Sequence, residues 1–347
     1  MANRLSEDGG SGTVGGFDVL YRFGSIYNLE FQLLGSNTVE PDNPELTESL
    51  GDLTFDEGKY TATFDGENYF GHGMYASLER NGRLWSFDFD FRDYSPTFRA
   101  ETGFITSNSY REASFWTNWD YRFDSKLIQR ISPFIMVGSV YNYEGKRKEL
   151  YLVPQISVHL AKQTSVNIGY TTNEQTYRGM KFDNTYSTDF SINSSFSEML
   201  RMGTRVKFGR TIRRSSTPEL GRFFEWDLWA TLKPIQRLTI SPEISFARLR
   251  KLDTEEEFYS GFILRTRANV QFTRRTFMRM VLQYDNFDGD ISIEPLLSYK
   301  VNPFSVFYIG SNQRFQDFGR VDSYSGDSRF KETDRQYFIK LQYLFQS

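Results

Sequence analysis

The chain has 347 residues, a formal net charge of -3 and no cysteine. That charge balance excludes the concentrated basic surface nucleic acid requires, and the missing thiols exclude a disulfide-stapled domain, a thiolate zinc site and a cysteine nucleophile. Histidine occurs only at His72 and His159, too few for a multi-histidine metal site.

No run approaches the roughly 18 apolar residues a membrane helix needs. A mean hydropathy of -0.53 still permits a membrane barrel, because only alternate residues of each strand meet lipid. The opening segment MANRLSEDGGSGTVGG lacks the basic start and apolar core of a secretory signal. Its glycines precede a strand, not a helix, so a phosphate-binding loop is not read there.

From Phe17 onward the chain alternates with period two, the signature of half-buried strands. Phe17, Val19, Tyr21 and Phe23 oppose Asp18 and Arg22, and Tyr27, Leu29, Phe31 and Leu33 oppose Glu30. Trp85, Phe87, Phe89 and Phe91 oppose Asp88, Asp90 and Arg92, and Asp120 and Arg122 follow on the polar phase. Leu150, Leu152, Ile156, Val158 and Leu160 oppose Glu149, Gln155, Ser157 and His159. Further on, Asp189 is polar-phase, and Leu200, Met202, Val206 and Phe208 oppose Arg201, Arg205 and Lys207. Phe224, Trp226, Leu228 and Leu232 oppose Glu225 and Asp227, with Glu243 on the next strand. Phe262, Leu264, Val270 and Phe272 oppose Arg265 and Arg267, and Tyr337, Ile339, Leu341, Tyr343 and Phe345 oppose Lys340.

No charge interrupts the apolar phase of these segments, where one at the bilayer midplane would cost about 2–4 kcal/mol. Pro154, Pro242 and Pro295 do fall on it, each removing a ladder hydrogen bond. Short connections (Gly24-Ser25, Asn81-Gly82, Asp124-Ser125, Lys162-Gln163, Phe196-Ser197, Lys233-Pro234, Arg274-Arg275, Asn302-Pro303) alternate with mostly longer ones at 36–69, 93–108, 174–183, 210–218, 249–256 and 315–334. Two connections on the long side, 144–146 and 287–289, are short. Short periplasmic turns opposite longer outer loops are what bacterial barrels show.

The fold expected is all-β, an antiparallel transmembrane β-barrel filling 1–347 as a single domain with about 17 strands. Single-chain bacterial barrels have even counts, so at least one strand is expected upstream, with Asn3-Arg4-Leu5 as its tail, in a chain incomplete at the N-terminus.

The order of segments resembles the outer-membrane barrel of a Bacteroidota-type family, domain of unknown function 5916. The likeness rests on Gly16–Phe23, on Tyr94–Phe104 followed by Tyr110-Arg-Glu112, on Gly209–Arg213 and on Phe338–Phe345. It implies further upstream strands and a preceding module like carbohydrate-binding family 9. That module is absent, so neither sugar binding nor hydrolysis carries over to any residue.

Carboxylates two apart on a strand, Glu225 with Asp227 and Asp88 with Asp90, lie about 6.5–7 Å apart, which overlaps the spacing of inverting glycosidases. Period-two spacing guarantees such pairs in any hydrated lumen, so no catalytic residue is assigned. The basic run Arg201, Arg205, Lys207, Arg210, Arg213 and Arg214 is read first as a lumenal strand leading into a loop, and second as an anion path or a contact for lipid phosphates. The acidic loop (Glu40, Asp42, Glu45, Glu48, Asp52, Asp56, Glu57) and Asp285–Asp290 lack EF-hand spacing, so no metal or cofactor is assigned.

The sequence thus points to an outer-membrane protein that forms a pore or anchors a periplasmic module. Its expected partners are the lipid bilayer, glycans or small polar solutes, and the barrel-assembly machinery. A glycan hydrolase with lumenal carboxylates and a soluble β-sandwich binding protein are the alternatives.

Overall fold

A computed structural model describes every residue except 1, 6–8, 52, 102, 104, 303, 319–329 and 345–347, with backbone alone for 2–5. Asp52 and Phe345 therefore lie outside the described residues. The strands are β1 (Ala2–Leu5), β2 (Ser11–Phe23), β3 (Tyr27–Val39), β4 (Thr54–Phe55), β5 (Tyr60–Thr61), β6 (Asn68–Asn81), β7 (Trp85–Tyr94) and β8 (Tyr110–Trp119). There follow β9 (Tyr121–Arg122), β10 (Ile128–Asn142), β11 (Arg147–Leu160), β12 (Thr164–Tyr177), β13 (Met180–Ser195), β14 (Leu200–Arg213) and β15 (Glu219–Ile235). The last are β16 (Leu238–Lys251), β17 (Glu257–Gln271), β18 (Thr276–Asp285), β19 (Asp290–Asn302), β20 (Ser305–Asp317) and β21 (Phe330–Tyr343). Among the described residues 17 strands have ten residues or more, the number the alternation implies. All but β4 and β5 belong to one sheet.

The chain divides into two compact units. Unit 1 comprises Met1–Arg122, Ile131–Ile156 and Thr171–Thr185, and unit 2 comprises Phe123–Arg130, Ser157–Tyr170 and Tyr186–Ser347. In unit 1 each long strand pairs antiparallel with the next: β2 with β3, β3 with β6, β6 with β7, β7 with β8 and β8 with β10. The short β1 pairs with the start of β2, Ala2 opposite Val14. In unit 2 the ladders run without interruption in sequence from β13 to β21. β21 pairs with β20 and is exposed on both faces from Lys331 onward.

The phase of each strand decides its environment. Phe190, Phe208 and Leu264 are 40%, 45% and 44% exposed, so among the described residues no second sheet or helix layer covers this apolar phase, as a soluble sandwich would require. Of the buried apolar residues in unit 2, Phe223, Leu249 and Val281 lie on the polar phase, whereas Ile212, near the end of β14, shares the phase of Phe208. Greasy outside and polar inside is the arrangement of a transmembrane barrel strand, and the sequence pattern is borne out.

Several connections are tighter than the sequence implies. The polar stretch 174–183 is not a loop: β12 and β13 continue through it to a two-residue turn, Arg178 and Gly179, with φ of 49° and 77°. Positive φ at both positions matches the twist of a hairpin. Polar residues past the apolar band read as loop in sequence, yet strands can project beyond the lipid. For the same reason the loops expected at 210–218 and 249–256 shrink to 214–218 and 252–256. Lys233-Pro234 is not a turn either: β15 runs on to Ile235 and the turn is Gln236-Arg237. The 36–69 segment, read as one long loop, folds into the end of β3, a short 3-10 helix (Pro44–Leu50), the β4–β5 hairpin and the start of β6.

Two of the three prolines, Pro242 and Pro295, have a physical account in the ladders. The β15–β16 ladder skips Pro242 between Glu243 and Ile240, and the β19–β20 ladder skips Pro295 between Ile293 and Leu296. Register is the same on both sides of each gap. Pro242 keeps its pairing to Thr266 of β17 and Pro295 its pairing to Met280 of β18. One missing N–H interrupts one side of one strand without shifting the sheet.

Candidate functional site

In unit 1 the polar face of β6, β7 and β8 concentrates carboxylates. Ser77 lies opposite Asp90, Glu79 opposite Asp88, and Tyr75 and Glu112 opposite Arg92. Neutral donors hold most of the acids: Tyr75 Oη donates to Asp90 Oδ1 at 2.7 Å, Ser77 Oγ to Asp88 Oδ1 at 3.0 Å and Tyr151 Oη to Glu112 Oε1 at 3.1 Å. Asn28 Nδ2 donates to Glu79 Oε2 at 2.7 Å. Arg92 is the cation among them, 3.4 Å from Glu112 and 3.7 Å from Asp90.

Two loops fold over one end of this face. Ser95 N donates to His72 O, and Thr97 Oγ1 to Phe70 O at 2.7 Å, so the segment after β7 zips along β6. Phe98 is 1% exposed and lies on Gly71, where a Cβ would stand 2.3 Å from the Phe98 Cα. Only glycine permits that approach. Phe55 and Tyr60 pack on Tyr69 with ring centroids 5.5 and 5.2 Å away, and Arg99 sits over the Phe55 and Tyr69 rings.

A cavity of about 420 Å³ remains, walled by Phe55, Phe64 and Tyr69 with Glu40, Arg99 and Glu101 as its charged groups. Thr38 Oγ1 and Glu40 Oε2, two residues apart and both lining this cavity, are buried without a hydrogen-bond partner among the described residues. Burial, with Glu67 and Asp65 adding to it, holds the Glu40 carboxyl above its ordinary range, although Tyr69 donates to Oε1 at 2.7 Å. Oxygens of Glu40, Asp65 and Glu67 lie within 4.8 Å of one another, a donor set of the kind hard cations take. The sequence reading assigned no metal and singled out only Glu40 of the three, because the fold of the loop, not spacing, assembles them.

Unit 2 balances its polar face with ions. Lys207 stands opposite Asp189 on one side and Glu225 on the other, Arg205 opposite Asp227, and Glu243 opposite Arg265. Arg205 Nε donates to Asp189 Oδ2. Glu225 and Asp227, the glycosidase candidates, each face a cation directly across the ladder. Arg267 is opposite Ser241 and Val281, and Arg201 opposite Ser195 and Thr231.

The remaining polar-phase residues are scattered. Asp18 and Arg22 lie opposite Gln32 and Asn28, Glu30 between Leu20 and Ser77, and Lys340 opposite Tyr308. Asp120 falls between β8 and β9, where Ser132 donates to it, and Arg122 is exposed in β9. His72 Nε2 is 3.1 Å from Tyr143 Oη, and Tyr143 donates to Asp93; His159 contacts Arg130. Glu79, Glu112, Tyr75 and Tyr151 were missed. The tyrosines share the phase of Ser77 and Glu149, so their position in the alternation, not their residue type, was the available signal.

Taken together, strand order, phase and sidedness define a transmembrane β-barrel sheet of the outer-membrane kind. No family model matches the chain, and no curated protein matches it. Solved structures do. The ferric enterobactin receptor PfeA of Pseudomonas aeruginosa aligns with a TM-score of 0.55 at 8% identity, over 98% of this chain and 64% of that one. FpvA of P. aeruginosa, bound to pyoverdines, gives 0.54 at 7% identity over 96% and 58%. The siderophore receptor PirA of Acinetobacter baumannii gives 0.52 at 8% identity over 96% and 64%. At such identities the likeness is one of fold, and the chain spans under two thirds of each of these three structures.

Proposed function

We propose that this chain is the barrel portion of an outer-membrane transport protein that takes a polar solute at the loop-covered end of unit 1. The observation that carries this reading is the cavity under the 40–67 and 95–109 loops, where aromatic walls meet Arg99, Glu40 and Glu101 on the polar side of the sheet. Aromatic surface with a few converging charged groups is what small-molecule sites present. The fold neighbours PfeA, FpvA and PirA bear on siderophores, and a ferric siderophore is one solute class to try. Small glycans are the other. The chain is not read as an enzyme.

The test is binding of ferric catecholates and of oligosaccharides to the full-length protein in detergent, with Arg99→Gln and Glu101→Gln variants, alongside conductance in a planar bilayer. Saturable binding weakened by either variant supports the reading. A protein that neither binds nor conducts would leave the second reading, a membrane anchor for a carbohydrate-binding module.

A further inference from the structure

On the outward phase of unit 2, arginines replace apolar residues toward one end of three adjacent strands. The ladders set Arg210 opposite Arg222 and Arg222 opposite Arg250. One row nearer the strand middle, Phe208 and Arg248 flank Phe224; in the next row, Val206 and Phe246 flank Trp226. Phe208 is exposed, so this phase points away from the polar face.

Like charges directly opposite on neighbouring strands are destabilising, and the protein compensates only in part. Glu255 lies 2.6 Å from Arg222 and 3.7 Å from Arg250, and Glu257 lies 2.8 Å from Arg250. Arg210 stacks over Tyr186 at 5.7 Å. Neither Arg210 nor Arg248 has a carboxylate in ion-pair range among the described residues. The arginines border an open cavity of about 350 Å³ lined by Tyr186, Phe208, Arg222, Phe224, Arg248 and Arg250, among others.

The position of the row identifies its counter-ion. It lies at the end of the strands joined by 214–218 and 252–256, which are longer than the opposite turn at Gln236-Arg237; longer connections face outward in bacterial barrels. Arginine stems lie along apolar surface while their heads reach the interface, and the planar guanidinium fork pairs bidentately with phosphate. We propose that Arg210, Arg222, Arg248 and Arg250 bind the headgroup phosphate of an outer-leaflet glycolipid, with its acyl chains along Phe208, Phe224 and Trp226. The site rests on the apolar phase meeting lipid and is independent of the cavity in unit 1.

The test uses the full chain inserted in vesicles containing either phosphorylated lipid A or its dephosphorylated form. Lipid retained after delipidating washes is counted by native mass spectrometry. Preference for the phosphorylated lipid by about tenfold or more, lost in Arg222→Gln/Arg250→Gln and kept in the polar-face control Arg267→Gln, is the expected result. Arg222→Lys/Arg250→Lys should fall between, because charge remains and the fork is gone. Equal retention of the two lipids by the wild-type chain overturns the proposal, and that comparison stands even if the double variants fail to insert. Inorganic phosphate binding as tightly as the lipid would also overturn it, since the apolar row would then contribute nothing.

Discussion

Unit 1 gathers Glu79, Asp88, Asp90 and Glu112 around the single Arg92 and holds them chiefly with Tyr75, Ser77, Tyr151 and Asn28. Unit 2 places Lys207 between Asp189 and Glu225, and Arg205 against Asp227. The same pleated surface thus carries two solutions to buried or half-buried charge. On the polar face of β6–β8 in unit 1, neutral donors hold most of the carboxylates and Arg92 is the cation among them. On the polar face of unit 2, ions pair across the ladder while part-exposed, so water shares the work of screening them. The difference teaches that a polar phase is not one environment, and that its chemistry follows the partners the neighbouring strands bring to it.

Four measurements would break or sharpen that comparison. The largest effect concerns what both units share. Ile244→Arg, on the outward phase between Leu228 and Leu264, should destabilise the sheet in lipid vesicles by about 2–4 kcal/mol. Ser245→Arg, one residue on, should change stability little. Urea unfolding of both variants decides it, and equal costs would end the assignment of faces.

Next is the roof of unit 1. Gly71→Val must displace the Phe98 backbone and should cost about 1–3 kcal/mol, seen as new protease cleavage within 95–109. Unchanged protection would mean the loop does not rest there.

The third compares the two kinds of bond. A double-mutant cycle on Tyr75→Phe and Asp90→Asn should give a coupling of about 1.5 kcal/mol, as for a hydrogen bond to a charged acceptor. The cycle on Arg205→Gln and Asp189→Asn should give less than about 1 kcal/mol, because those side chains are 47% and 27% exposed. The reverse order would contradict the account above.

The smallest effect is at the β10–β11 turn. Lys146 Nζ lies 2.7 Å from Glu144 Oε2 and holds that carboxyl below its ordinary range. A depressed carboxyl favours the folded turn above its unfolded pKa, and that contribution is lost as pH falls through the folded value. In an NMR titration Lys146→Gln should raise the Glu144 midpoint, and added salt should mimic the variant.

How much of this could be read beforehand follows from what period two encodes. Phase fixes faces, so the outward rows through Phe208, Trp226 and Leu264 and the inward charges at Arg205, Lys207, Glu225 and Asp227 were legible. Strand ends were not, because polar residues such as Glu174 and Gln175 look alike in a loop and in a strand projecting past the lipid. Tyr75 and Tyr151 were hidden by chemistry, since tyrosine serves a lipid belt and a hydrogen-bond network equally well. The Glu40, Asp65 and Glu67 grouping depends on how 40–67 folds back, and no local spacing announces it. Three aligned arginines are visible only once register is known, because Arg210, Arg222 and Arg250 are far apart in sequence.

The edge of β21 has a consequence wherever it is left without a neighbouring strand. Hydrocarbon offers no donor or acceptor, so a strand margin left bare in a bilayer forfeits several kcal/mol per peptide group. Its amides must be matched before the sheet can rest in lipid. In water the same bare margin is a template for whatever extended chain arrives first, so overproduction outside a membrane should yield aggregates seeded at Lys331–Tyr343.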